Sequence, residues 1–364
     1  MTRPAQATID FTALRCNLAL VRATAPGRRV MAIVKANAYG HGLVRIARIL
    51  GDSDTDGVDA FGVACLEEAE ALRAAGIERP ITLLEGVFEP SEYHAAARLG
   101  LTVVVHHVWQ LEALESIVLP VPIAVWLKVD TGMRRLGISV ADTRDAWQRL
   151  GNCRNACAPV GLMTHLACAD EQDPCVTHNQ LASFRGAAAE LSAEWCLANS
   201  AGILGHPESH GQWVRPGIML YGVSPFAHDC ALALGLQPVM HFTSRLIAIK
   251  RVRAGEAVGY GGTWTSTTDT LVGTVAAGYA DGYPRHARSG TPVLVNGQEV
   301  PLVGRVSMDM LCVDLKSQPD ARIGDPVLLW GKGLPVERIA TAAGTIPYEL
   351  LCRIAPRVAI KEQD

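Results

Sequence analysis

The sequence predicts an α/β protein in two parts: a (β/α)8 TIM-like barrel over residues 1–232 and a predominantly β-strand domain over residues 233–364. Three observations carry that prediction. Short, continuously apolar runs alternate with amphipathic stretches as far as Tyr221, as strands buried on both faces of a parallel sheet require. After Leu232 the texture changes to closely spaced, strand-length segments rich in Val, Ile, Leu and Thr. The length, 364 residues, exceeds the roughly 100–200 residues of an ordinary domain. An open, doubly wound sheet uses the same alternation, but eight strand-like runs separated by helices favour closure.

The leading helix is read over Asp10–Ala23, with Asp10 or Thr12 available to cap its first turn. Barrel strands are expected at Val30–Val34, Ala60–Val63, Ile81–Leu84 and Leu101–His106, then at Val121–Leu127, Val160–Met163, Trp195–Leu197 and Val214–Tyr221. Helical patterns lie between them at Leu66–Ala75, Glu92–Leu99, Val140–Leu150 and His178–Ala193. In Leu66–Leu72 the apolar and charged residues separate onto two faces, as an amphipathic helix requires. The second domain reads as strands at His241–Arg251, Glu256–Trp264, Thr270–Ala276, Pro292–Val295, Val300–Met308, Leu311–Asp314 and Pro326–Trp330. Asn296-Gly297 signals a hairpin, because both residues tolerate positive φ. Helices follow at Val336–Ala343 and Tyr348–Cys352, with Pro347 at the head of the second.

Composition narrows the function. With 33 Lys and Arg against 36 Asp and Glu, the net charge is −3, which leaves no basic surplus for a nucleic acid. No run approaches the ~18–20 apolar residues of a membrane span, and MTRPAQATIDFT lacks the apolar core of a signal peptide. A cytoplasmic protein is expected. Its ten cysteines show no CxxC pair and no repeated spacing, so they read as small buried hydrophobes. Cys153 and Cys157, with Cys168, Cys175 and His178 downstream, are too widely spaced for an ordinary zinc site, and no metal is expected.

The most informative stretch is Ala32-Ile33-Val34-Lys35-Ala36-Asn37-Ala38-Tyr39-Gly40-His41-Gly42. A lysine ends an apolar strand where barrel enzymes collect functional groups, the setting of a Schiff-base lysine or a general base. A lysine whose ammonium merely reaches solvent at a strand end fits the same window. Arg215 sits in an apolar segment just before Pro216, His165 follows an apolar strand, and Ser200 opens a small-residue turn suited to a phosphate. Each alone has an ordinary structural reading.

Together these stretches resemble the alanine racemase family. VKANAYGHG is similar to that family's pyridoxal-phosphate attachment motif. The resemblance continues in the family's order through WLKVDTGMRRLG (126–137), MTHLA (163–167), ANSAG (198–202) and VRPGIMLYG (214–222). It extends through VGYGGTW (258–264), GYADGYPR (278–285), GRVSMD (304–309) and IPYE (346–349). It implies pyridoxal 5'-phosphate carried on Lys35, and interconversion of L- and D-alanine by proton removal and return at Cα. Lys35 would serve the D-alanine side and Tyr260 the L-alanine side. A tyrosine is a weak base at neutral pH, and the family supports it with a histidine, here His165.

The resemblance places Arg215 at the pyridine nitrogen, which keeps that nitrogen unprotonated because a guanidinium does not readily give up its proton. Tyr39, Ser200, Gly217, Ile218 and Tyr348 would hold the phosphate, and Arg135 and Met308 the substrate. Lys128 matches a lysine often carbamylated in the family. Tyr279, Arg285, Arg305 and Asp309 would surround the entrance. Tyr260 would act across a homodimer interface, completing the partner's site. Arg134 stands where many relatives carry glycine or a small residue, and Ser307 where some carry cysteine.

Three other functions share parts of this pattern. A related barrel decarboxylase would be expected to place a carboxylate where Arg215 stands, a lone cofactor-carrying barrel would lack the second domain, and a broader racemase would differ only in pocket size. Whether D-alanine is made for peptidoglycan or degraded is not written in these motifs.

Overall fold

The computed structural model describes residues 3–52, 57–227 and 231–364. Strand β1 (Gln6–Asp10) runs directly into the helix Phe11–Thr24, whose N-cap is Asp10, its side chain accepting from the Ala13 N–H at 2.8 Å. Barrel strands follow as β2 (Arg29–Ile33), β3 (Ala60–Val63), β4 (Ile81–Leu83), β5 (Leu101–Val105) and β6 (Ile123–Asp130). After the short β7 (Ile138–Ser139) come β8 (Ala156–Met163), β9 (Trp195–Cys196) and β10 (Trp213–Val214). Their order is β5-β4-β3-β2-β10-β9-β8-β6, and β6 pairs with β5, so eight parallel strands close into the expected barrel.

Continuous apolar character follows from two burial partners. Met31, Ala60, Val104, Trp126, Met163 and Cys196 fill the barrel interior, whereas Val30, Ala32, Val103 and Leu127 pack outward under the helices. Gly161 is small because Trp126 lies beside it: a Cβ there would come within 2.4 Å of the indole.

The second domain is built on the long strand β11 (Met240–Val252). The ribbon β12 (Ala257–Val258) and β13 (Trp264–Thr265) precedes β14 (Thr270–Val275), β15 (Pro292–Val295), β16 (Gln298–Val303), β17 (Leu311–Asp314) and β18 (Pro326–Trp330). The order β14-β17-β16-β15-β18-β11, with β14 also pairing with β11, closes six antiparallel strands into a ring. Asn296 and Gly297 take φ of 51° and 78° at the β15–β16 turn, as expected. The first half of β11 also pairs with β1, which in turn pairs in parallel with β19 (Ala359–Gln363). The opening strand of the chain therefore belongs to the second sheet, whereas its sequence position groups it with the barrel.

Several expected strands are shorter or broken. Val214–Tyr221 contributes only its start, because Pro216 has no N–H to give the ladder and residues 218–221 form a 3-10 turn. Glu256–Trp264 divides at Gly259, Gly261 and Gly262, all at positive φ, leaving Tyr260 at the tip of the ribbon. Val300–Met308 ends at Val303, where Gly304 turns the chain at φ 72°. The cysteines are not generally buried: Cys153 and Cys196 are, but Cys16, Cys157, Cys175 and Cys352 are exposed. All nine described cysteines are free; Cys230 lies outside the described residues. Among the described residues no helix is long and apolar enough to cross a membrane.

Candidate active site

The functional side chains gather at the C-terminal ends of the barrel strands. Lys35 follows β2, Glu85 follows β4, Lys128 lies near the end of β6, His165 follows β8, Ser200 follows β9 and Arg215 follows β10. Directly after Lys35 the backbone makes a left-handed turn, with φ between 52° and 55° at Ala36, Asn37, Ala38 and Tyr39. A left-handed helical residue other than glycine costs roughly 1–2 kcal/mol, so such a run persists only where its surroundings impose it. Here Ala36 N–H donates to Glu68 at 2.7 Å, Asn37 Oδ1 accepts from Leu43 N–H at 2.8 Å, and Tyr39 stacks on Tyr221 at 4.8 Å. Gly40 is obligatory, since a Cβ there would lie 2.1 Å from the Leu351 carbonyl oxygen.

Arg215 is buried and acts as a hub. It donates to the carbonyls of Cys196, Thr164 (2.6 Å) and Leu197 (3.2 Å), and its Nη2 lies 3.4 Å from His165 Nδ1. Burial, and then the charges of Arg215, Lys128, Arg135 and Lys35, hold the His165 imidazole well below its ordinary value, so it is neutral at pH 7. Burial and the same cationic company bring the Lys128 ammonium down to about 8, with Glu85 opposing. Behind them, Gln180 donates to the His165 carbonyl (3.0 Å) and to Thr131 Oγ1 (3.1 Å), and accepts from Ala167 N–H (2.8 Å).

A cavity of about 520 Å³ joins these groups. Lys35, Tyr39, Lys128, Arg135, His165, Ser200, Arg215, Gly217, Ile218 and Tyr348 all line it. Against the four cations, the carboxylates on its wall are Glu85, with an oxygen 3.8 Å from Lys35 Nζ, and Asp170. That excess of positive charge, with Arg135 exposed at the mouth, suits an anionic ligand. One end of the cavity is rich in neutral donors. Ser200 Oγ accepts from Gly217 N–H (2.9 Å) and Met219 N–H (3.3 Å), and its own hydroxyl proton is free to turn into the cavity. Burial drives the Tyr39 hydroxyl far up, while burial and Asp170 push Tyr348 up to about 12, so both phenols remain donors. A Cβ at Gly217 would come within 2.7 Å of the Tyr39 hydroxyl, so the glycine keeps this cradle open.

The residues singled out in the second domain lie elsewhere. Tyr260 is 68% and Met308 53% exposed, and neither lines the cavity, nor do Tyr279, Arg285, Arg305 or Asp309. Tyr260, Tyr279, Arg305, Met308 and Asp309 form a second cluster. Tyr279 N–H donates to the Ser307 carbonyl (3.1 Å), Ala280 N–H to the Met308 carbonyl (2.9 Å), and Arg305 lies along the Gly259–Gly261 turn. This cluster hangs on Asp281, a buried carboxylate that accepts from Arg3 (2.9 and 2.6 Å), Arg357 (2.8 Å) and Gly278 N–H (2.9 Å). Arg357 also pairs with Asp309 at 2.6 Å. Burial alone raises the Asp281 carboxyl, but the two guanidiniums outweigh it and hold it below the ordinary carboxylate range.

Sequence reasoning missed Glu85, Gln180, Asp281, Arg3 and Arg357. Glu85 carried a usable signal, a charge directly after an apolar strand, as at Lys35. Arg134 has its answer here: φ is 56°, in the region glycine favours, and Asp130 secures the loop by accepting from its N–H at 3.0 Å.

A parallel barrel that sets a primary amine, a buried arginine and a donor-rich cradle around one cavity, with an antiparallel domain appended, defines the class of barrel proteins with a cationic site at the strand ends suited to a small anionic ligand. Comparison with known proteins makes this specific. Residues 9–225 match the model of the alanine racemase N-terminal domain, and residues 239–361 that of the alanine racemase C-terminal domain. The chain belongs to the alanine racemase family. It is 50% identical over 356 residues to the alanine racemase of Shewanella amazonensis, covering 98% of each chain. It is 52% identical over 357 residues to the biosynthetic alanine racemase of Escherichia coli O6:H1, again covering 98% of each. Its fold superimposes on the crystal structure of the biosynthetic alanine racemase from Pseudomonas aeruginosa with a TM-score of 0.96, at 48% identity and 100% coverage of both chains.

Proposed function

We propose that this chain is an isomerase that interconverts L-alanine and D-alanine with pyridoxal 5'-phosphate. The observation that carries the proposal is the single cation-rich cavity uniting the Lys35 amine, the Arg215–His165 pair and the donor cradle of Tyr39, Ser200, Gly217, Ile218 and Tyr348. Its chemistry fits the group: an amine for the aldehyde, neutral donors for the phosphate, and a permanent cation for the ring nitrogen. When bound, the cofactor supplies an electron-withdrawing ring that acidifies the Cα–H of the attached amino acid. Arg215 would face the ring nitrogen and, keeping its own proton, would limit that withdrawal and so disfavour decarboxylation and transamination.

The chain's own groups do the proton work. Lys35 Nζ takes or returns the Cα proton on the D-alanine side, and Tyr260 Oη does so on the L-alanine side. Two opposed bases remove the need for one base to swing between faces. Neutral His165, its Nδ1 turned to Arg215, offers its other ring N–H as a hydrogen-bond donor to the tyrosine oxygen and so favours the phenolate, and Arg135 binds the substrate carboxylate through its planar fork. Met308, outside its own chain's cavity like Tyr260, touches the substrate in the partner's site, while Tyr279, Arg285, Arg305 and Asp309 line the approach to it.

Because Tyr260 projects from the second domain, away from its own chain's cavity, it serves a partner's site in a two-fold homodimer with two composite sites. The cluster around Asp281 holds that surface in shape. A cytoplasmic enzyme providing D-alanine for peptidoglycan completes the reading. The lone-barrel alternative is set aside by the second domain.

The test is to mix the purified protein with pyridoxal phosphate and single L-amino acids in D₂O. Cα exchange with inversion for alanine supports the proposal. Exchange without inversion, or activity confined to another amino acid, refutes it.

A further inference from the structure

Outside the cavity, the helix Cys175–Ala188 and the turn after the helix Ser200–Gly205 bring together two histidines and a carboxylate. Glu208 Oε1 lies 3.1 Å from His206 Nδ1 and 3.4 Å from His178 Nε2, and the three donor atoms fall within 4.8 Å of one another. Ligand atoms bound to one tetrahedral zinc at ~2.0–2.1 Å are separated by about 3.3 Å, so both shorter distances already match those around a single ion. Its cysteine neighbours contribute nothing to this group.

We propose that His178, His206 and Glu208 form a binding site for a borderline divalent transition metal of the zinc type. Two imidazoles with one carboxylate suit zinc, cobalt, nickel or copper, whereas magnesium and calcium demand oxygen ligands. The site is prepared on one side and open on the other. His206 is nearly buried, its N–H donates to Gly202 and its carbonyl accepts from Ser209 Oγ at 2.7 Å. Arg185 holds the Glu208 carbonyl at 2.9 Å. These supports orient the ligands before an ion arrives. His178 is half exposed, leaving the remaining coordination positions to water.

A bound ion would bridge the helix carrying Gln180, which holds the His165 loop from behind, and the turn that follows the helix opening with the cavity residue Ser200. An ordinary ion pair is the competing description of the same contacts, and it predicts no affinity for metal.

The test is calorimetric titration of the cofactor-loaded protein with ZnCl₂ near neutral pH, with MgCl₂ in parallel. One zinc per chain is expected, and no magnesium. His178→Ala, which removes a mostly exposed side chain, weakens zinc binding at least tenfold, as does Glu208→Gln. Cys175→Ser leaves it unchanged. Absence of stoichiometric zinc binding overturns the proposal. So does unchanged affinity in His178→Ala, or loss of binding in Cys175→Ser, which would place the ion on a thiolate.

Discussion

Arg215 Nη2 lies 3.4 Å from Nδ1 of His165, so a permanent cation faces one ring nitrogen of a buried imidazole. That nitrogen presents its lone pair to the guanidinium, and the other is left to carry the proton. Protonating the ring would bury a second charge against the first. His165 therefore stays neutral far into acid, its folded-state value lying well below the unfolded 6.5. The sign follows: as pH falls through about 6.5 the unfolded chain takes a proton that the folded chain refuses, and stability declines. NMR titration should show His165 unprotonated at pH 6, and Arg215→Gln should move its midpoint upward. Titration near 6.5 in the wild type would contradict the arrangement.

Lys35→Ala should abolish both the visible absorbance of the cofactor-loaded protein and racemisation, because the cavity wall holds no other amine at that strand end. An active variant with intact absorbance would remove Lys35 from its role.

Tyr260→Phe tests the second base without disturbing the first. The side chain is mostly exposed and outside the cavity, so cofactor affinity and melting temperature should be unchanged. Deuterium exchange into L-alanine should fall at least a hundredfold, the scale of a lost general base. Normal exchange in this variant refutes the assignment.

Lys128 is a buried amine brought down to about 8, surrounded by Arg215, Arg135 and Lys35. Above pH 8 most of it is a free amine able to add CO₂ with loss of a proton, and the resulting anion would relieve the crowding of cations beside Arg135. Incubation with ¹³C-bicarbonate should give a carbamate carbon signal that grows through pH 8 and is missing in Lys128→Ala. A bicarbonate-independent spectrum at pH 9 would count against it.

Asp281→Asn removes the charge that Arg3 and Arg357 share. Charged hydrogen bonds contribute about 1.5–3 kcal/mol each at most, and both arginines are partly exposed, so a loss of about 2–3 kcal/mol is expected in urea unfolding at pH 7. Because its folded-state value lies below 3.8, wild-type Asp281 gives its full stabilisation above that pH and loses it as pH falls further. The gap between wild type and variant should thus close in strong acid. A gap that persists there would mean the arginine pairs are not its source.

Local patterns in the sequence reveal most of the fold. Apolar runs buried on two sides mark the barrel strands, and Asn296-Gly297 marks its hairpin. What stayed hidden depends on distant partners. Gln6–Asp10 has only Ala7 and Ile9 to show as an inward face, and its partners begin at Met240 and Ala359. Lys35 is conspicuous because a charge ends an apolar run, whereas Gln180 resembles any polar residue on a solvated helix until packing buries it against Thr131 and His165. His178 and Glu208 were invisible as partners for the same reason. The left-handed turn after Lys35 runs against local preference altogether, since Ala36 and Ala38 are helix formers in any other setting.

The pairing of β1 with both β11 and β19 orders events during synthesis. Gln6–Asp10 emerges from the ribosome early, yet one edge waits for residue 240 and the other for residue 359. Meanwhile the strands Arg29–Val214 can close their parallel ring. For much of translation, then, a short strand with unpaired edges waits, first ahead of an incomplete barrel and then tethered to a closed one. Gln6 and Thr8, the outward-facing residues of that strand, keep this waiting segment polar enough to escape other partners until its own arrive.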